Sequence, residues 1–192
     1  MNSEKEWTAT PIEYLTPDGE WEKDGDARFG SISMAIQSRG EVSRNELLRI
    51  GRWKNRNRRN DRLVHRNDEE SVTRLTRTAL QAHDPVVAVE TLSRLDGVRV
   101  PIASTVLTVA DPETYAIIDY RALRALIAVR PDLAATDSYA TFAEFLEHFR
   151  NYQKRPRTYD FYLNEVWAIA DERDFTPREV DMALWALDKH TV

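Results

Sequence analysis

Two residues of this chain have types and positions suited to chemistry on a nucleotide, Gly97 and Asp119. Gly97 follows Asp96 in a tight turn between two predicted helices, where glycine lets the backbone adopt a positive φ. Such a turn directs amides at the start of the next helix towards a phosphate oxygen. Asp119 is a carboxylate at the end of the hydrophobic run Ile117–Ile118. Together they indicate phosphate binding beside a group able to act as an acid or base.

Each feature also has a purely structural interpretation. Glycine turns join many helix pairs without binding a ligand. Asp119 precedes a helix-forming sequence that begins at Tyr120, so its side chain is suited to cap that helix. Capping and catalysis are compatible roles, so a capping position does not argue against catalysis.

The stretch Leu92–Ala122 resembles the helix-hairpin-helix DNA glycosylase superfamily, which includes endonuclease III, the adenine glycosylases and the alkyl-base glycosylases. Its run Ile117–Asp119 matches the hydrophobic segment that ends in aspartate in that superfamily. Arg99 departs from the pattern, since a second hairpin glycine is usual there. The residues that match the hairpin pattern are Leu95, Gly97, Val98 and Ala103.

The resemblance implies a fold, a reaction and a set of site residues. The fold is mainly α and glycosylase-like, with hairpin helices over 85–110 and an aspartate loop over 111–121. The reaction is hydrolysis of the N-glycosidic bond of a damaged or modified base in DNA. Asp119 is then the catalytic carboxylate, which stabilises the positive charge that develops on the sugar. Gly97, Val98 and Arg99 are the expected hairpin contacts to a DNA phosphate.

Pro101 determines the expected subtype. It lies eighteen residues before Asp119, where the strand-cleaving members of the superfamily have a catalytic lysine. Proline has no amine, so we expect a monofunctional enzyme that uses water and has no lyase step. The chain has no cysteine, which excludes the four-cysteine iron–sulfur cluster of some members, and its four histidines lack metal-site spacing. No cofactor or metal is expected.

A basic segment between Arg49 and Arg66 is the second expected DNA contact. It contains seven arginines and one lysine, opposed only by Asp61, although the whole chain has a net charge of −5. Charge runs are commonly solvated loops, but here the segment accompanies the hairpin. We expect an exposed, phosphate-binding Lys54, which could in principle also replace the missing catalytic lysine. The expected phosphate contacts are Arg52, Lys54, Arg56 and Arg58.

Two aromatic residues are candidates for a pocket that holds a flipped-out base. Trp53 lies in the basic segment and could stack on a base, although it also fits the apolar face of a helix. Tyr120 is adjacent to Asp119. The remaining aromatic residues have helical spacing and are more typical of a core.

The rest of the sequence predicts helices joined by capped turns. Residues 1–28 are acidic and contain proline and glycine, so we expect an extended arm before one helical domain over 29–192. Capping boxes at Ser43–Glu46 and Thr176–Glu179, and the pair Asp84-Pro85, predict three helix starts. No apolar run is long enough to span a bilayer, so we expect a cytoplasmic protein. We also expect a monomer whose partner is DNA.

Three functional alternatives remain open from the sequence. The first is a glycosylase, whose excised base is either a lesion, as in repair, or a hypermodified base of phage DNA, as in antiviral defence. A non-catalytic DNA-binding module that retains the hairpin is the second alternative. The third is a helical protein-interaction domain in which the glycine turn is a coincidence. Activity that depends on Asp119 separates the enzyme from the other two.

Overall fold

The computed structural model describes residues 20–55, 60–130, 147 and 149–191, which form nine α-helices and no β-strand. The mainly α fold class is therefore confirmed. Within those ranges, no helix is long and apolar enough to cross a membrane. The helices are α1 (Glu20–Arg39), α2 (Arg44–Lys54), α3 (Asp61–Val64), α4 (Glu69–Leu80), α5 (Pro85–Leu92), α6 (Val100–Ala110), α7 (Tyr120–Val129), α8 (Pro156–Arg173) and α9 (Pro177–Thr191).

The N-terminal boundary differs from the expectation. Helix α1 begins at Glu20, so residues 20–28 are helical and the prediction of an extended arm up to residue 28 is wrong over this part. Gly25 and Gly30 lie inside the helix, where a glycine costs only about 1 kcal/mol relative to alanine and does not by itself end a helix. Residues 1–19 lie outside the described part of the chain.

The predicted helix starts are confirmed by their hydrogen bonds. Ser43 and Glu46 form the reciprocal capping box at the start of α2. Thr176 and Glu179 exchange the equivalent bonds at the start of α9. Asp84 accepts the Val86 amide at 2.7 Å, which leaves Pro85 at the first helical position, where no amide is needed. Local side-chain chemistry therefore fixes where these helices begin.

Helix α6 forms the centre of the core. Its residues Ile102–Ala110 are all buried, and the helix packs against α1, α2, α5 and α8. A helix that is apolar on every side is stable only when surrounded by protein. Its buried hydroxyls bond within the helix, with Thr105 donating to the Pro101 carbonyl at 2.7 Å and Thr108 to the Ser104 carbonyl at 2.9 Å.

Helices α7 and α9 pack along each other on one side of this core. Asp188 of α9 is buried and accepts hydrogen bonds from Arg121 and Arg124 of α7. These two arginines lower the pKa of the Asp188 carboxyl. These ion pairs therefore hold the start of α7, next to Asp119, against α9.

Candidate active site

Asp119 lies at the junction between the extended segment 115–119 and helix α7. Its Oδ1 accepts the Ala122 amide at 2.9 Å, so the side chain caps α7 as the sequence predicted. Its Oδ2 accepts a hydrogen bond from the Lys54 ammonium at 3.3 Å. The Asp119 side chain retains 24 % of its accessible surface. One oxygen is therefore structural, and the other faces a charged group at a partly open site.

The segment before Asp119 is held by side chains from three helices. The buried Tyr159 hydroxyl of α8 donates to the Ala116 carbonyl at 3.1 Å, and the buried Tyr162 hydroxyl donates to the Ile117 carbonyl at 3.3 Å. The Ile118 amide donates to Ser104 Oγ of α6 at 3.3 Å. A buried extended segment without a neighbouring strand needs such partners, because unpaired backbone groups are costly. These bonds fix the position of Asp119.

Asp181 of α9 supplies the remaining bond to this segment. Its Oδ2 accepts the Ile117 amide at 2.6 Å, and its Oδ1 pairs with Arg178. Burial raises the pKa of the Asp181 carboxyl to about 6, although Arg178, the Ile117 amide and the charge of Lys54 oppose this shift. A second carboxyl group, with a pKa raised to about 6, is therefore bonded to the backbone two residues before Asp119.

Lys54 is the last residue of α2, and its position differs from the expectation. Its side chain is 10 % exposed and forms an ion pair with Asp119, 65 residues further along the chain. The prediction of an exposed lysine is therefore wrong. The apolar face of α2 packs against α6, which brings the end of α2 to the segment before α7. Lys54 belongs to the site around Asp119.

The two predicted base-pocket aromatics lie next to the two members of this ion pair in the chain. Trp53 is half-buried, and the Arg178 guanidinium lies 5.7 Å from the centre of its ring. Tyr120 is 51 % exposed, with the Arg124 guanidinium 5.5 Å from its ring centre and the Phe149 ring at 5.7 Å. Trp53 lies against the guanidinium of the Arg178–Asp181 ion pair, whereas Tyr120 is open to solvent. Stacking on a base stays a prediction for both.

The hairpin turn has the predicted backbone conformation. Gly97 has a φ of +82°, in the left-handed region. A Cβ atom at this position would lie 3.0 Å from Leu63 Cβ and 3.0 Å from Val64 Cγ2. The neighbouring Asp96 exchanges two hydrogen bonds with the Asn67 side chain, at 2.9 and 3.0 Å. Glycine is therefore required both for conformation and for close packing of the turn against α3.

Val98 and Arg99 differ in what they can offer a phosphate. The Val98 side chain is buried and its amide donates to the Leu95 carbonyl at 3.0 Å, so this amide is not available to a ligand. Arg99 is exposed and has a φ of −121°, an extended conformation open to any residue. Arg99 therefore causes no backbone strain at a position where glycine is usual. Its guanidinium lies at the start of α6.

Exposed arginines surround the turn, although the predicted set is only partly among them. Arg52 is 43 % exposed and pairs with Asp61 at 2.8 Å. Arg56 and Arg58 lie outside the described residues. The two segments that meet at Gly97 present the exposed Arg99, one of the expected hairpin contacts, and three further exposed arginines that were not among the expected contacts: Arg62, Arg66 and Arg94.

Sequence reasoning missed the residues that support Asp119. Tyr159 and Tyr162 have helical spacing, which is more typical of a core than of a site. A signal for Lys54 was present, since it is the one lysine among eight basic residues of the segment. In the described part of the chain, no group of three or more histidine or acidic side chains is arranged to hold a metal ion.

Comparison of the sequence with models of protein families, with curated proteins and with solved structures gave no match. The function is therefore inferred from the residues and contacts of the site itself.

Proposed function

We propose that this protein is a DNA glycosylase that hydrolyses the N-glycosidic bond of a damaged or modified base. Asp119 is the catalytic carboxylate in this proposal. The observation that supports it most is that the two oxygens of Asp119 have different contacts. Oδ1 caps α7, while Oδ2 faces Lys54 at a site where the side chain is 24 % exposed. A carboxylate buried only against its own helix start would have argued against catalysis.

The chemistry follows from the charge on Asp119. As the bond between sugar and base breaks, C1′ gains positive charge, which a fixed carboxylate stabilises. The same carboxylate positions a water molecule and accepts its proton as the water attacks C1′. The base leaves with the bonding electron pair and takes up a proton. Because four side chains hold the segment before Asp119, the carboxylate needs little rearrangement to act.

The hairpin and its arginines supply the proposed DNA contact. The turn at Gly97 places the start of α6 and the exposed Arg99 on the same surface. Arg62 and Arg66 flank the α3 residues on which Gly97 packs. Guanidinium groups bind phosphates through paired hydrogen bonds, and DNA binding by such contacts weakens with salt. A locally basic surface is compatible with a net charge of −5 for the chain, since charges act over roughly 8 Å in physiological salt.

The test is release of a free base from DNA. Purified protein is incubated with duplexes that each contain one alkylated, deaminated or oxidised base, and with phage DNA that contains hypermodified bases. Released bases are detected by mass spectrometry, and abasic sites by strand cleavage in alkali. The account predicts release from at least one substrate by the wild type and loss of release in Asp119→Asn. Salt-dependent DNA binding without release in either protein would favour the non-catalytic binding module.

A further inference from the structure

Lys54 is the charged residue of the basic segment whose placement is hardest to explain by phosphate binding. Its side chain is 10 % exposed, whereas Arg49, Arg52 and Arg62 of the same segment are exposed. A DNA phosphate approaches from the surface, so those arginines are better placed to meet it. Burying an ammonium group is costly, and the position must be maintained by its contact with Asp119.

The product of the proposed excision reacts with amines. Loss of the base leaves a deoxyribose whose C1′ is an aldehyde in the open-chain form. A lysine amine condenses with an aldehyde to form an imine. The carboxylate that stabilises charge at C1′ must lie close to that atom, and Lys54 Nζ is 3.3 Å from its Oδ2. The amine therefore lies close to the carbon that becomes an aldehyde.

We propose that Lys54 is the nucleophile of a second reaction at this site, in which it forms an imine with C1′ of the abasic sugar and the DNA strand is cleaved by β-elimination. The inference rests on the proposed base excision, because it places the abasic sugar at Asp119. The expectation of no lyase step depended on Pro101 alone, and Lys54 provides an amine from a different helix.

The steps balance without an oxidant or reductant. The Lys54 ammonium first loses a proton to Asp119 Oδ2, and the free amine attacks the C1′ aldehyde. The resulting carbinolamine regains a proton and loses its hydroxyl as water, leaving a protonated imine. A base, Asp119 or water, then removes a C2′ proton. Those electrons form a C1′–C2′ double bond while the C1′–N double-bond pair moves onto nitrogen, which gives an enamine. The nitrogen pair then re-forms the imine, the C1′–C2′ pair becomes a C2′–C3′ double bond, and the 3′ phosphate leaves as the C3′–O bond breaks. Water hydrolyses the remaining imine and returns the lysine.

The test uses a duplex with a preformed abasic site, so that no particular base needs to be known. Borohydride reduces an imine to a stable amine, which links the protein covalently to the DNA. The wild-type protein is expected to form this cross-link, and peptide mapping is expected to place it on Lys54. The cross-link should be lost in Lys54→Arg, which keeps the positive charge beside Asp119 but has no amine. Lys154→Ala removes an exposed lysine and should leave the cross-link unchanged.

The outcomes separate this inference from the proposed function. A cross-link that persists in Lys54→Arg, that maps to another residue, or that is absent in the wild type overturns the role of Lys54. Base release without a cross-link leaves the glycosylase proposal intact and refutes only the lyase step. A cross-link at Lys54 without base release from any substrate supports the lyase step and counts against the excision. Thermal melting of Lys54→Arg beside the wild type shows whether that variant is folded.

Discussion

Asp181, on the last helix, accepts the backbone amide of Ile117 at 2.6 Å, two residues before Asp119. This bond ties the C-terminal helix α9 to the segment that positions the proposed catalytic carboxylate. Asp181 is almost fully buried and pairs with Arg178. Helix α9 therefore contributes to the site through a buried carboxyl group whose pKa is raised to about 6.

The first prediction concerns pH and stability. Because burial raises the pKa of Asp181 to about 6, the folded protein binds this proton more tightly than the unfolded chain does. The contribution of Asp181 to the free energy of unfolding is complete below its ordinary pKa of 3.8 and is lost as pH rises to about 6.

Denaturant unfolding of the wild type and of Asp181→Asn tests this. The free energy of unfolding of the wild type, minus that of the variant, should fall between about pH 4 and about pH 7. Asp171→Asn, at an exposed position on α8, should show no comparable change. A difference between wild type and Asp181→Asn that rises over this range would mean that Asp181 is held in its ionised form.

The second prediction concerns Gly97. Gly97→Ala introduces a Cβ into the left-handed region and places it 3.0 Å from Leu63 Cβ. Strain of this kind costs roughly 1–3 kcal/mol, and the contact with α3 adds to it. We expect a lower melting temperature and weaker DNA binding.

Gly40→Ala is the matched control for this substitution. Gly40 also has a positive φ, of 69°, but a Cβ added there would have no atom within 4 Å. The control therefore isolates the conformational part of the loss. Equal losses in the two variants would exclude a contribution from packing of the Gly97 turn against α3.

The third prediction concerns the tyrosines that hold the segment before Asp119. Tyr162→Phe removes the hydroxyl that donates to the Ile117 carbonyl and leaves that buried oxygen without this donor. We expect a loss of about 0.5–1.5 kcal/mol in the free energy of unfolding, with a lower rate of base release at saturating DNA. Tyr159→Phe, which removes the bond to Ala116, should act in the same direction. Stability loss with an unchanged rate in both variants would show that these bonds do not position Asp119.

The fourth prediction concerns the hairpin surface. Arg99→Ala removes an exposed guanidinium from the start of α6. If it binds one phosphate, the slope of log affinity against log salt should decrease in magnitude by about 1. Arg74→Ala, on an exposed position of α4, should leave the slope unchanged. Fluorescence anisotropy with labelled duplex across a salt series measures both, and identical slopes for the two variants would remove Arg99 from the DNA contact.

Much of the fold follows from local sequence signals. Ser43, Asp84 and Thr176 mark helix starts because their side chains satisfy amides that the helix leaves unpaired. The same reasoning predicted that Asp119 caps α7, and this is confirmed. The helical content of residues 20–28, the first part of α1, was not predicted, because glycine weakens a helix without necessarily ending it.

The surroundings of Asp119 could not be derived in this way. Its contact with Lys54 joins residues 65 positions apart, and the bond from the Ile117 amide to Asp181 depends on how α9 packs. Such contacts arise from tertiary packing, for which a single sequence provides no spacing rule. Sequence patterns therefore predicted the position of Asp119 at the start of α7, while its ion pair with Lys54 emerged only from the folded chain.

The most direct test of the central claim is base release by the wild type and by Asp119→Asn under single-turnover conditions. Asparagine retains an oxygen that can accept the Ala122 amide, so the cap on α7 is preserved while the negative charge is lost. We predict release of a base by the wild type and a decrease on the order of 10²-fold or more in Asp119→Asn, with full activity in Asp171→Asn. Equal rates of base release in the wild type and in a folded Asp119→Asn variant would contradict the account.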